Sequence, residues 1–214
     1  MDEEISIIDT KTRNKKIKHF FIENKKKLIS ITIILIVSVL SFYSFQIYKD
    51  KQIERISDNF NSAVIEFKNG DKSKSTSSMK EVVKDKDSTY SPLALYFLID
   101  NNLIENQTVI NELFDILIDE TSLEKEIRHL IIYKKALYNA DFVDEIQILE
   151  MLKPVLNSES VWKSHALYLI AEFFYSKKEM QKSKEFFEKI ISTENANQDI
   201  FIEAQKRLNR DLGE

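Results

Sequence analysis

The side chains that could do chemistry here are few, and their spacing is helical. Glu126 and His129 form a Glu-x-x-His pair, which on a helix puts both groups on one face. A carboxylate-bridged dimetal centre needs two such motifs and further glutamates. One is present, so pairing of the two side chains at the surface is the expected role. A second set, His165, Tyr168, Glu172 and Tyr175, recurs every three or four residues and so shares one helix face. Two phenols and a carboxylate could grip an extended or helical protein segment by apolar contact and hydrogen bonds. These four are the candidate protein-binding residues; the competing reading packs Tyr168 and Tyr175 against a neighbouring helix. No His-Glu-x-x-His, phosphate loop, Gly-x-Ser-x-Gly or dinucleotide fingerprint occurs. Two glycines cannot build a phosphate cradle, and the lack of Cys removes disulfides, thiolate zinc sites and a Cys nucleophile. The sequence therefore assigns no catalytic residue, no metal ligand and no cofactor.

The elements that must carry these residues are helices. With two Gly and two Pro in 214 residues, hairpin turns are too scarce for sheets. Apolar residues at helical spacing run through Ile53, Ile56, Phe60, Ala63 and Phe67, ended by a turn at Gly70 with positive φ. A weaker helix holds Met79, Val82 and Val83. Ser91-Pro92 reads as an N-cap and first helical position. Ile110, Leu113, Phe114 and Leu117 mark the partner helix. Thr121 with Glu124 resembles a capping box, opening a helix with Leu123, Ile127, Leu130, Ile131 and Leu137 inside. The next helix carries Val143, Ile146, Leu149 and Leu152 and is expected to stop at Pro154. Ser160 caps a helix with Leu167, Ile170, Ala171 and Phe174 on one face. Its partner presents Met180, Ser183, Phe187 and Ile190, and a last helix shows Ile200, Ala204 and Leu208.

All of this follows an uncharged run, Leu28 to Tyr48, without Gly or Pro. At ~1.5 Å per residue its helix matches the hydrocarbon thickness of a bilayer, about 30 Å. A cleaved signal peptide has a shorter apolar core and a small-residue cleavage site, whereas here Phe42, Tyr43, Phe45 and Tyr48 fill the end as an interfacial belt. A core helix of a soluble protein would show one polar face. The run is expected to be an uncleaved transmembrane helix. Eight basic residues between Lys11 and Lys27 face a single acid there, Glu23, so the positive side stays cytoplasmic. The expected organisation is a basic cytoplasmic segment at 1–27, the span at 28–48 and an outer domain at 49–214. In a bacterium that places the chain in the inner membrane with its C-terminal domain in the periplasm. The basic cluster suits anionic lipid headgroups. No nucleic-acid motif accompanies it, and the outer segment, with 23 basic against 30 acidic residues, does not suit nucleic acid.

Helix pairs begin near Pro92, Glu124 and Val161, a spacing close to the roughly 34 residues of tetratricopeptide repeats. Leu167, Ile170, Ala171, Phe174, Ser183, Phe187 and Ile190 follow the repeat's large and small order. Lys178 stands where its turn has Gly, and the pair from Glu124 lacks the small residue of the first helix. The expected fold class is all-α: one N-terminal transmembrane helix followed by a tetratricopeptide-like α-helical repeat domain. Particular segments add a resemblance. His19-Phe20-Phe21-Ile22-Glu23-Asn24-Lys25 precedes the span and Phe60-Asn61-Ser62-Ala63-Val64 follows it. Thr89-Tyr90 with Leu93-Ala94, Ala171-Glu172 with Ser176-Lys177, and Arg207-Leu208-Asn209 complete the set. The chain thereby resembles the ancillary Sec-translocon subunit family (YfgM-type), inner-membrane proteins with a periplasmic tetratricopeptide-like domain. The resemblance implies Sec-translocon subunits, periplasmic chaperones and exported clients as partners, and a non-enzymatic role in their hand-over. An envelope-assembly scaffold without translocon contact, and an enzyme or enzyme regulator with an unrecognised site, are the alternative readings.

Overall fold

A computed structural model describes residues 15, 16 and 18–212; residues 1–14 and 17 of the segment expected to be cytoplasmic lie outside them. Every regular element among the described residues is helical. In chain order they are α1 (Lys25–Lys68), α2 (Lys72–Lys84), α3 (Tyr90–Asp100) and α4 (Gln107–Asp115). One π-helical turn (Ile116–Glu120) follows, then α5 (Lys125–Asn139), α6 (Glu145–Leu156), α7 (Lys163–Ser176), α8 (Met180–Ile191) and α9 (Gln198–Asp211). Two compact units emerge, Met1–Glu54 and Arg55–Glu214.

The first unit contains the apolar run. It lies within α1, whose 44 residues rise through roughly 66 Å. This is one helix, near the N-terminus, long and apolar enough to cross a membrane, and none of its most apolar stretch is buried. Three of its hydroxyls are satisfied internally: Ser30, Thr32 and Ser38 each donate to the carbonyl four residues back, at 2.9 to 3.0 Å. That removes the cost of carrying them on an apolar surface.

The second unit buries its apolar faces in series. Ile56, Met79, Val82, Leu95, Leu98, Phe114 and Ile131 form one cluster, Ile132, Ala136, Ile148, Leu152 and Ile170 a second, and Leu167, Ala171, Phe187, Ile190 and Ala204 a third. Consecutive residues of one helix feed different clusters: Ile131 and Ile132 on α5, Ile170 and Ala171 on α7. Each of these helices therefore seals the core on both of its sides. Ala171 and Ser183 are fully buried between α7 and α8, where small side chains let the backbones approach.

Three helix ends share one device. The residue after the cap takes the left-handed conformation and the next amide reaches back to the last turn: Gly70 (φ 89), Asn102 (φ 50) and Lys178 (φ 64). At the last, Lys178 N–H donates to Tyr175 O at 3.0 Å and Glu179 N–H to Phe174 O at 2.9 Å, a Schellman closure. The turn keeps its geometry although Lys replaces the expected Gly.

Local signals were overridden elsewhere. Ser91 does not cap α3; it lies inside the helix, fully buried, donating to Val82 O at 2.6 Å and accepting from the Asp87 amide at 2.9 Å. The Asp87 carboxylate takes the capping role, accepting from the amides of Thr89 and Tyr90. Thr121 forms no capping box, because its hydroxyl donates to Ile116 O and closes the π turn. Pro154 does not stop α6, which continues to Leu156 because Leu152 and Val155 on either side of it are fully buried. Ile127, Leu137 and Ile146, expected inside, are exposed.

Two stability changes follow. Ser91→Ala strips a buried carbonyl and a part-buried amide of their partner and is expected to cost ~1–3 kcal/mol. Lys178→Gly relieves a left-handed non-glycine residue, worth ~1–2 kcal/mol, less the ~0.5–1 kcal/mol of added freedom in the unfolded chain; a small net gain is expected. Urea midpoints of the two variants should move in opposite directions.

Candidate protein-binding face

The four candidate residues on α7 are all half-buried, and three different helices share them. Glu172 accepts a two-pronged bond from Arg207 of α9, at 2.7 Å from Nε and 2.8 Å from Nη2. The same guanidinium lies 4.1 Å from the Tyr175 ring centroid and also bonds Asp211. Tyr168 meets Phe187 of α8 edge-on, with centroids 5.4 Å apart. Burial first, and the Glu172 charge second, push its phenol pKa up. The paired carboxylates hold Arg207 firmly protonated, and Arg210 and Arg207 bring Asp211 down to about 2. The helix α9 thus covers Glu172 and Tyr175, while α8 meets Tyr168.

His165 goes elsewhere. Its ring packs at 5.0 Å on Trp162 and 5.9 Å on Tyr133 of α5, and Tyr133 stacks on Trp162. Beside this aromatic group, Glu126 of α5 accepts from the Ser160 hydroxyl at 2.7 Å and from the Val161 amide at 3.2 Å. Ser160 also accepts from the Trp162 amide, but the N-cap of α7 is Trp162 and not Ser160, because the helix begins at Lys163. The Glu126–His129 pair is not a surface pair: Glu126 is spent on the entrance of α7, while His129 is 7% exposed with Nδ1 unpartnered. Burial lowers the pKa of both His129 and His165. Among the described residues no group of three or more His, Cys, Asp or Glu could hold a metal ion.

An open apolar surface lies instead between α3 and α5. Pro92, Leu93 and Tyr96 on one side and Leu123, Ile127 and Leu130 on the other enclose a trough of about 440 Å³. It adjoins a second hollow of about 230 Å³ between Tyr96, Asp100, Lys134, Leu137 and Tyr138. Leu93, Ile127 and Leu137 are 46%, 40% and 44% exposed. The Tyr96 hydroxyl is buried without a partner, and burial, then the Asp100 charge, push it up to about 12. Lys134 lies 6.0 Å over the Tyr96 ring. The periodicity of α5 assigned Ile127 and Leu137 to the core. Their exposure depends on how far α3 stands from α5, which no local pattern encodes.

Two pH windows are expected. His129 and His165, depressed from 6.5 in the folded chain, bind fewer protons there than when unfolded. Their contribution is full above the unfolded pKa and is lost as pH falls below it. Glu126 is depressed from 4.5, Ser160 being the main cause, so its contribution persists to lower pH and falls below that value. Urea midpoints should drop from pH 7 to 5, and His129→Phe should flatten that drop. Arg207→Ala should cost ~1–3 kcal/mol through loss of charged hydrogen bonds, more than Arg210→Ala.

Comparison with protein-family models, with curated proteins and with solved structures finds no match.

Proposed function

We propose that this chain is a membrane-anchored protein-interaction module without an enzymatic site. The observation that carries the reading is the apolar trough between α3 and α5, on a helical unit in a chain whose N-terminal part holds a membrane-length helix. Apolar side chains left open in a concave setting are characteristic of surfaces that bind other proteins. The basic cluster before the apolar run supports an inside N-terminus and an outward-facing helical unit, periplasmic if the source is bacterial. The packing of α2 on α3, of α5 on α6 and of α7 on α8 supports a tetratricopeptide-like arrangement. The sequence resemblance described above puts Sec-translocon subunits first among partners, with periplasmic chaperones and exported clients beside them.

Gentle solubilisation of membranes and co-purification tests this, comparing the full chain with one whose 28–48 run is replaced by an unrelated span. Translocon subunits are expected with both chains. Their loss on span replacement would move the contact into the membrane. Recovery of envelope-assembly proteins alone would replace the translocon role by a scaffold role. Recovery of no protein above background with either chain would overturn the interaction reading.

A further inference from the structure

The wedges between alternate helices differ in how they are closed. Between α7 and α9, Arg207 bridges Glu172 and the Tyr175 ring, and Ala204 is fully buried. Between α3 and α5 stand an equivalent Tyr and acid, Tyr96 and Asp100 (spaced like Tyr168 and Glu172), and Lys134 sits over the Tyr96 ring. No ion pair to Asp100 or to Glu124 occurs among the described residues. Asp100 lines one end of the joined hollows and Glu124 the other. The space between them is apolar and, at about 440 Å³, holds two or three aliphatic or aromatic side chains.

On that basis, and resting on the interaction-module reading, we infer that the α3–α5 trough docks an amphipathic segment of another protein that carries apolar side chains bracketed by basic residues. The apolar side chains enter between Leu93, Tyr96, Ile127 and Leu130. The basic residues reach Asp100 and Glu124 at the two ends. Charge complementarity selects this occupant over an acidic one: two unpaired carboxylates mark the ends, and the single lysine in the lining already faces a ring. Rim charges of this kind set partner choice while the apolar contacts supply affinity.

The test uses the full chain in nanodiscs of neutral phosphatidylcholine, with empty nanodiscs as the bilayer control. Two fluorescent synthetic peptides share one leucine face; one has a lysine polar face and the other a glutamate polar face. The lysine peptide is expected to bind more tightly than the glutamate peptide, beyond the empty-disc signal. Ile127→Asp should weaken it at least tenfold, as burial of one large aliphatic side chain is worth about 1.5–3 kcal/mol. Asp100→Lys should narrow or reverse the preference between the peptides, and the exposed control Phe142→Asp should change nothing. Ile127 is 40% exposed, so its substitution leaves the fold intact, which circular dichroism checks. Equal binding of both peptides, no binding above empty discs, or equal loss in Phe142→Asp and Ile127→Asp would overturn the inference. Such a result, with partners still co-purified by the full chain, rejects the trough as the docking site and leaves the module reading standing. Peptide binding without any co-purified partner rejects the reading itself.

Discussion

A short amphipathic helix has one apolar stripe, and a pair of them cannot bury both stripes against each other alone. That constraint governs the whole second unit. α5 places Ile131 in one cluster and Ile132 in the next, and α7 does the same with Ile170 and Ala171. Both helices are thereby built into two clusters at once. The three clusters are therefore links of one chain of burial, and a cavity opened at Phe114, Phe174 or Phe187 would be felt by the adjoining pair.

Polar groups keep the links in register. Asn139, 2% exposed, accepts from Gln107 and Asn111 and donates to Asn111 and to Lys135 O, tying α4 to α5. Glu126 bonds Ser160 and the Val161 amide, tying α5 to the entrance of α7. Lys182 bonds Glu145 at 2.7 Å and Glu179, tying α8 to α6. Arg207 does the same between α9 and α7. At the buried Asn139 and the largely buried Arg207, sliding one helix by a turn would leave donors and acceptors unmet, which costs more than the bonds are worth when formed.

The same geometry explains where a partner could be received. At the C-terminal end the wedge beside α7 is filled by Arg207 and the apolar face of α9. Further back, α3 and α5 are held apart, and Lys134 reaches across to Tyr96. The chain thus closes one wedge with its own helix and leaves another apolar. A surface that stays apolar and concave while polar networks are completed around it is where binding energy remains available.

The sequence by itself determined the local features. The uncharged run at 28–48, the all-helical composition and the positive φ at Gly70 are legible because each depends on neighbours within about one helical turn, or on length and composition alone. Tertiary contact decided the rest. Ser91 left its capping role because Val82 O lay within reach, and Pro154 stayed inside a helix because burial on both sides outweighed one lost hydrogen bond. The fate of the α7 face was settled the same way. Tyr168, Glu172 and Tyr175 share a periodicity that says they are together but not what covers them. Arg207, 35 residues beyond Glu172, supplies that answer, and Ile127 and Leu137 on α5 have no such partner. Helical spacing reports which residues share a face. Whether that face is filled depends on the separation of helices distant in sequence, a quantity that the whole core sets at once.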